Sequence, residues 1–148
     1  MEQIETILRD QREELLRTNP QKLVSRKEEN EFDLDSELAQ IVIGVRRSGK
    51  STLCQKVLIQ SGIKFAYVNF DDEYLSDLPA SQLNSVVEAL YVVYGDFTHL
   101  FIDEIQNAAK WPMFVNRLMR QGIRLVLTGS NANLLSHELI PHLTGRYN

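Results

Sequence analysis

One cysteine, Cys54, stands in 148 residues, so no intramolecular disulfide can form and the chain suits a reducing compartment. Three scattered histidines and that lone thiol make no metal cluster of the zinc type. No apolar run approaches the roughly 20 residues that cross a bilayer, which excludes a transmembrane helix. The opening Met1-Glu2-Gln3-Ile4-Glu5 lacks the basic stretch and apolar run of a secretory signal. These absences predict a cytoplasmic protein with no membrane partner. Positive charge is not in excess either: 16 Lys and Arg face 20 Asp and Glu, a net charge of −4 with a pI of about 5.4. The broad attraction to nucleic acid that a basic domain exerts is therefore missing, and the charge balance gives such a partner no support.

What the chain does have is the composition of a soluble globular protein, 43% hydrophobic and 24% charged, at a length that fits one domain with a real core. Its most informative stretch is Gly44-Val45-Arg46-Arg47-Ser48-Gly49-Lys50-Ser51, which satisfies G-x-x-x-x-G-K-[ST] at every constrained position. Gly44 and Gly49 permit positive φ and close approach of backbone to ligand. The loop's N–H groups then form an anion-binding nest at a helix N-terminus. Lys50 brings a compact charge to the β- and γ-phosphates, and Ser51 offers its hydroxyl to a Mg²⁺ ion bridging them. The residues assigned to nucleotide binding are Gly44, Arg46, Arg47, Ser48, Gly49, Lys50, Ser51 and Thr52. The two arginines sit at unconstrained positions, where solvent exposure competes with a reach to phosphate or to a partner.

The flanking pattern supplies the required context of strand, loop and helix. Met1 to Thr18 places Ile4, Ile7, Leu8, Leu15 and Leu16 on one helical face and is closed by Asn19-Pro20, which reads as a docking helix. A charged, irregular segment follows to about residue 38, and residues 39–148 form the core. Strands are predicted at Ile41–Val45, Lys64–Phe70, Thr98–Ile102 and Ile123–Leu127. Helices are predicted at Lys50–Gln60, Ser81–Tyr94, Trp111–Gln121 and Asn131–Leu139. Such alternation means a mostly parallel α/β sheet with helices on both faces, its ligand crevice beyond the carboxyl ends of the strands.

Chemistry is therefore sought at those ends. Leu100-Phe101-Ile102 runs into Asp103-Glu104, the Walker B pattern: Asp103 for Mg²⁺, an ion that prefers oxygen ligands, and Glu104 to orient or deprotonate a water. The next strand ends Leu127-Thr128-Gly129-Ser130-Asn131, neutral hydrogen-bonding groups suited to sensing a γ-phosphate or the attacking water. Thr128 and Ser130 are the preferred pair, with capping of the next helix as the alternative. Asp71-Asp72-Glu73 reads as a solvated acidic turn, His99 as a strand-end residue, Cys54 as a small core side chain and Trp111 as a packing anchor.

The glycine-rich loop, Leu100-Phe101-Ile102-Asp103-Glu104-Ile105-Gln106, Leu127-Thr128-Gly129-Ser130-Asn131 and Leu143-Thr144-Gly145-Arg146, taken in that order, resemble the prokaryotic AAA+-superfamily P-loop ATPases of the Asp-Glu-Ile-Gln type. The resemblance covers about residues 40–146. It implies a sensor strand between the Walker A and Walker B strands, and it sets Gln106 beside the Walker B acids. It also implies ATP rather than GTP, consistent with the missing Asn-Lys-x-Asp motif. Proteins of that type continue with a fifth strand, a lid and a further domain. The chain is therefore expected to be a truncated ATPase core whose first strand is an exposed edge, open to a protein partner, to self-association or to cover by the N-terminal segment.

Two functions follow as expectations. One is a Mg²⁺-dependent ATPase in which Lys50, Glu104, Thr128 and Ser130 act in catalysis while Ser51 and Asp103 hold the metal. The alternative is a nucleotide-gated interaction module that binds ATP and a partner with little turnover.

Overall fold

The structure is a computed structural model that describes residues 2–17, 34–35, 39–44, 49–130 and 143–147, the last five by backbone alone. In chain order the elements are α1 (Glu2–Leu16), β1 (Ala39–Ile43), α2 (Lys50–Ser61), β2 (Phe65–Asn69), α3 (Glu73–Asp77), α4 (Leu83–Tyr94), β3 (His99–Asp103), α5 (Trp111–Arg120), β4 (Arg124–Gly129) and β5 (Leu143–Tyr147). Single turns of 3₁₀ helix at Ala80–Gln82 and Ile105–Asn107 complete the list. The helix expected at Asn131–Leu139 lies outside the described residues, as do Arg46, Arg47 and Ser48.

The five strands form one sheet in the order β2-β3-β4-β1-β5, with every pairing parallel. As expected, β4 separates β1 from β3. All residues of β1 and β3 are buried, as befits strands covered on both faces. Ile41, Ile43, Ala66, Val68, Leu100, Ile102, Leu125 and Leu127 meet α4 and α5 on one face. Val42, Tyr67, Phe101 and Val126 meet Cys54 and Leu58 of α2 on the other.

The exposed edge expected at β1 is not there. Leu143–Tyr147 pairs along β1 from Ala39↔Leu143 to Ile43↔Tyr147. Self-association through an unpaired first strand therefore has no basis. The segment holding Thr144-Gly145-Arg146 is strand β5 itself, with Arg146 opposite Val42. A short run carrying threonine and glycine gives too weak an alternation to read as a strand from sequence, and parallel pairing with a buried neighbour forms it.

The edge that α1 meets is at the far side, on β2. Ile4 and Leu8 enter the core beneath α4, while Leu15 joins the cluster on the α2 face, so the helix wraps the sheet margin. Gln11 acts there as a surrogate strand residue: its Nε2 donates to Asn69 O and its Oε1 accepts from Asn69 N, both at 3.0 Å. Arg12 donates to Val93 O at 2.9 Å, satisfying a carbonyl at the end of α4, and lies over the Tyr94 ring at 5.3 Å. Replacing Gln11 with alanine removes both edge bonds, and we expect a loss of about 1–2 kcal/mol, measured as a lower urea midpoint. An unchanged midpoint would show that the clamp contributes nothing to stability.

Two local details refine the sequence picture. The acidic turn after β2 is a helix start, since Asp72 Oδ1 accepts from Leu75 N at 3.0 Å and caps α3. His99 is a buried tether with Nε2 2.6 Å from Leu34 O and Nδ1 2.7 Å from Thr98 Oγ1.

Candidate functional site

The crevice lies where the glycine-rich loop meets the carboxyl ends of β3 and β4. Gly44 follows β1 and donates its N–H to Gly129 O at 3.1 Å, which ties the entry of the loop to β4. Gly49 stands at the N-cap of α2 with φ 90°, a left-handed conformation that a side chain would oppose. Lys50 and Ser51 follow in the first turn, where an α-helix carries N–H groups with no intrahelical acceptor and a partial positive charge. Thr52 is in the same turn and exposed to solvent.

Successive strand residues point to opposite faces, yet the side chains of Asp103 and Glu104 both reach the start of α2. The backbone explains this. Glu104 sits at φ 54°, ψ 54°, a left-handed conformation uncommon for a non-glycine residue, which ends β3 and turns its carboxylate back. Thr128, fully buried in β4, fastens that turn. Its Oγ1 accepts from Glu104 N at 3.0 Å and donates to Asp103 Oδ1 at 2.6 Å.

Around these backbone anchors the polar groups form one connected network. Ser51 Oγ donates to Asp103 Oδ2 at 2.7 Å and accepts from Gln55 Nε2 at 3.4 Å. Lys50, 5% exposed, places Nζ 3.1 Å from Glu104 Oε1 and 3.2 Å from Ser130 Oγ. The Ser130 hydroxyl lies 2.8 and 2.6 Å from the two Glu104 oxygens, and Gln106 Nε2 donates to Oε2 at 3.0 Å. Burial alone would raise the Glu104 pKa. The hydrogen bonds from Ser130, Gln106 and Lys50, with the Lys50 charge, outweigh that and hold it below its usual value. Glu104 is therefore a carboxylate at neutral pH.

A cleft of about 330 Å³ opens beside this network, lined among the described residues by Lys50, Ser51, Tyr67, Asn69, Asp71, Asp103 and Glu104. Its donor set suits one kind of metal. Ser51 Oγ and Asp103 Oδ2 are hard oxygens side by side, and the described residues hold no group of three or more His, Cys, Asp or Glu able to cage an ion. Magnesium is bound in that way, through one or two protein oxygens with waters and phosphates completing the octahedron.

The structure brings Lys50, Ser51, Asp103, Glu104 and Ser130 together, as the sequence reading expected. Thr128 is present but beneath the carboxylates, holding them rather than facing the cleft. Gln106 touches Glu104, as the family resemblance implied. Tyr67 was missed: its hydroxyl donates to Asp103 Oδ2 at 2.7 Å. A tyrosine inside an apolar strand reads as core, and its polar tip shows only once β2 and β3 are set in register. Cys54 and Trp111 are buried core residues as read, and the Cys54 thiol pKa is raised, foremost by burial.

Comparisons with known proteins agree with this architecture. Residues 36–148 match the AAA domain family known as AAA_14. An uncharacterized protein of Methanocaldococcus jannaschii is 36% identical over 109 residues, covering 72% of this chain and 24% of its own length. An uncharacterized Haemophilus influenzae protein is 37% identical over 121 residues, covering 76% and 30%. The chain thus spans under a third of the length of either relative. Among solved structures, the replication initiator DnaA bound to AMPPCP and single-stranded DNA aligns at a TM-score of 0.52 with 14% identity, over 88% of this chain and 50% of that one. PCH-2 of C. elegans aligns at 0.50 with 12% identity, over 81% and 38%. These two likenesses carry the fold, and the family match carries the lineage. The chain belongs to the AAA domain family, the ATPase-like, nucleotide-binding P-loop domains of the AAA+ type.

Proposed function

We propose that the chain binds ATP with Mg²⁺ at the start of α2 and hydrolyses the β–γ bond with water as nucleophile. The observation that supports this best is the convergence of a phosphate-type lysine, a serine and carboxylate pair and an ionised glutamate at one cleft. Lys50 and the loop amides, with Arg46, Arg47 and Ser48 among the loop residues, position the phosphates. Ser51 and Asp103 would hold Mg²⁺, which neutralises charge across the β- and γ-phosphates. Glu104 takes the proton of the attacking water as its oxygen bonds the γ-phosphorus, with ADP leaving. Ser130, against both Lys50 and Glu104, adjusts to the γ-phosphate, and Thr128 keeps the carboxylates in place.

A second reading is favoured by one feature: Lys50 and Glu104 are paired with each other at 3.1 Å. Phosphate must draw Lys50 away, so nucleotide binding changes the setting of Glu104 and Ser130 together. A nucleotide-gated interaction module would use that change to recruit a partner, with little turnover.

Both readings require binding. ATP with Mg²⁺ should raise the melting temperature, by about 2.7 kcal/mol of stabilisation at a hundredfold excess over Kd. At this chain length that corresponds to several degrees. ATP with EDTA should give a smaller rise. No rise with either would sink both readings.

A further inference from the structure

We propose that Tyr67 is a positioning residue for the metal-binding carboxylate, an inference that rests on the nucleotide reading above. Its geometry follows from strand register. Tyr67 pairs with Phe101 across β2 and β3, and Asp103 lies two residues further along on the same face. A diagonal neighbour at that spacing is within reach of a long side chain that leans along its strand. The phenol ring packs on Phe101 with centroids 4.9 Å apart, and its hydroxyl reaches past that ring to Asp103 Oδ2, 2.7 Å away. The residue is 7% exposed overall yet also lines the cleft.

Three hydroxyls therefore converge on one carboxylate: Thr128 on Oδ1, Ser51 and Tyr67 on Oδ2. Their duties differ. Ser51 is itself a candidate ligand, and Thr128 also fastens the Glu104 backbone. Among the described residues the Tyr67 hydroxyl bonds to Asp103 alone. Its bond fixes the rotation of the carboxylate, so that the oxygen beside Ser51 is already turned toward the cation before nucleotide arrives. Ser51 and Tyr67 together occupy the two lone pairs of that oxygen, so a metal-bound water would take the place that the Ser51 hydroxyl gives up while the Tyr67 bond stays. Outer partners of this kind hold a ligand in its productive orientation, and their loss weakens metal affinity without removing a ligand.

Tyr67→Phe isolates the hydroxyl, because it keeps the ring and its packing on Phe101. The measurement is the Mg²⁺ concentration giving half of the ATP-induced melting shift, beside the shift given by ATP in EDTA. In the variant the half-maximal Mg²⁺ should rise roughly tenfold, while the metal-free shift stays at the native value. Phe101→Leu serves as a packing control that lowers the unliganded melting temperature and leaves the Mg²⁺ requirement alone. A Tyr67→Phe protein with the native Mg²⁺ requirement would overturn the assignment. So would an equal increase in Phe101→Leu, which would trace the effect to packing. If the unaltered protein shows no nucleotide shift at all, the nucleotide reading itself fails, and the role of Tyr67 fails with it.

Discussion

Glu104→Gln should lower steady-state phosphate release by about 100-fold or more, the usual range for loss of a positioned general base, while ATP–Mg²⁺ binding persists. The amide keeps the shape of the side chain and its bond to Ser130 but cannot accept the proton of a water. Binding should be at least as tight as in the native protein. Glu104 competes with phosphate for Lys50, which lies 3.1 Å from its Oε1, and the neutral amide competes less well. The melting shift with ATP–Mg²⁺ tests that half of the expectation and phosphate release tests the other. Equal turnover in the two proteins would remove Glu104 from the reaction. Negligible turnover in both, with ATP still bound, would reject the hydrolytic reading for this chain and leave the interaction module.

Lys50→Ala should abolish the nucleotide shift altogether. The residue starts α2 directly behind a left-handed glycine and is held almost wholly buried, which fixes its charge at the head of the helix. The same change leaves Glu104 ionised and without its cation in a partly closed pocket. The unliganded protein should therefore lose about 1–3 kcal/mol as well. Differential scanning fluorimetry with and without ATP–Mg²⁺ reads both effects. A variant that keeps the native shift would mean that phosphate is bound elsewhere. The double change with Glu104→Gln should recover part of the unliganded stability and none of the binding, since it removes the orphaned charge but restores no phosphate partner.

Much of this site was legible from sequence because its chemistry is encoded in short, ordered runs. Gly49-Lys50-Ser51 and Asp103-Glu104 each declare a role through residue type, and the alternation of strands and helices says which loop ends converge. Three features were not legible, each for a physical reason. Tyr67 contributes through one atom at the tip of a core side chain, and hydropathy scores the ring. Thr128 was placed among groups facing the cleft, but its position depends on the left-handed turn at Glu104, which no local pattern announces. β5 was missed because a run of Leu143-Thr144-Gly145-Arg146 owes its extended form to pairing with β1 rather than to its own propensity. The edge expected at β1 therefore lies one strand further out, at β5, and α1 meets the opposite edge, at β2.

That helix has a kinetic consequence. α1 precedes every strand in the chain, but its polar anchors are 58 residues away at Asn69 and 81 away at Val93. The Gln11 bonds need β2 in place and the Arg12 bond needs α4, and each closes a long loop whose entropy must be overcome first. Docking of α1 is thus a late event, made on a sheet that already exists. We expect its interactions to form after the folding transition state. In the Gln11→Ala protein the lost stability should accordingly appear as faster unfolding, with the refolding rate unchanged. The segment that closes the sheet margin then sets how long the fold lasts, and not how quickly it is reached.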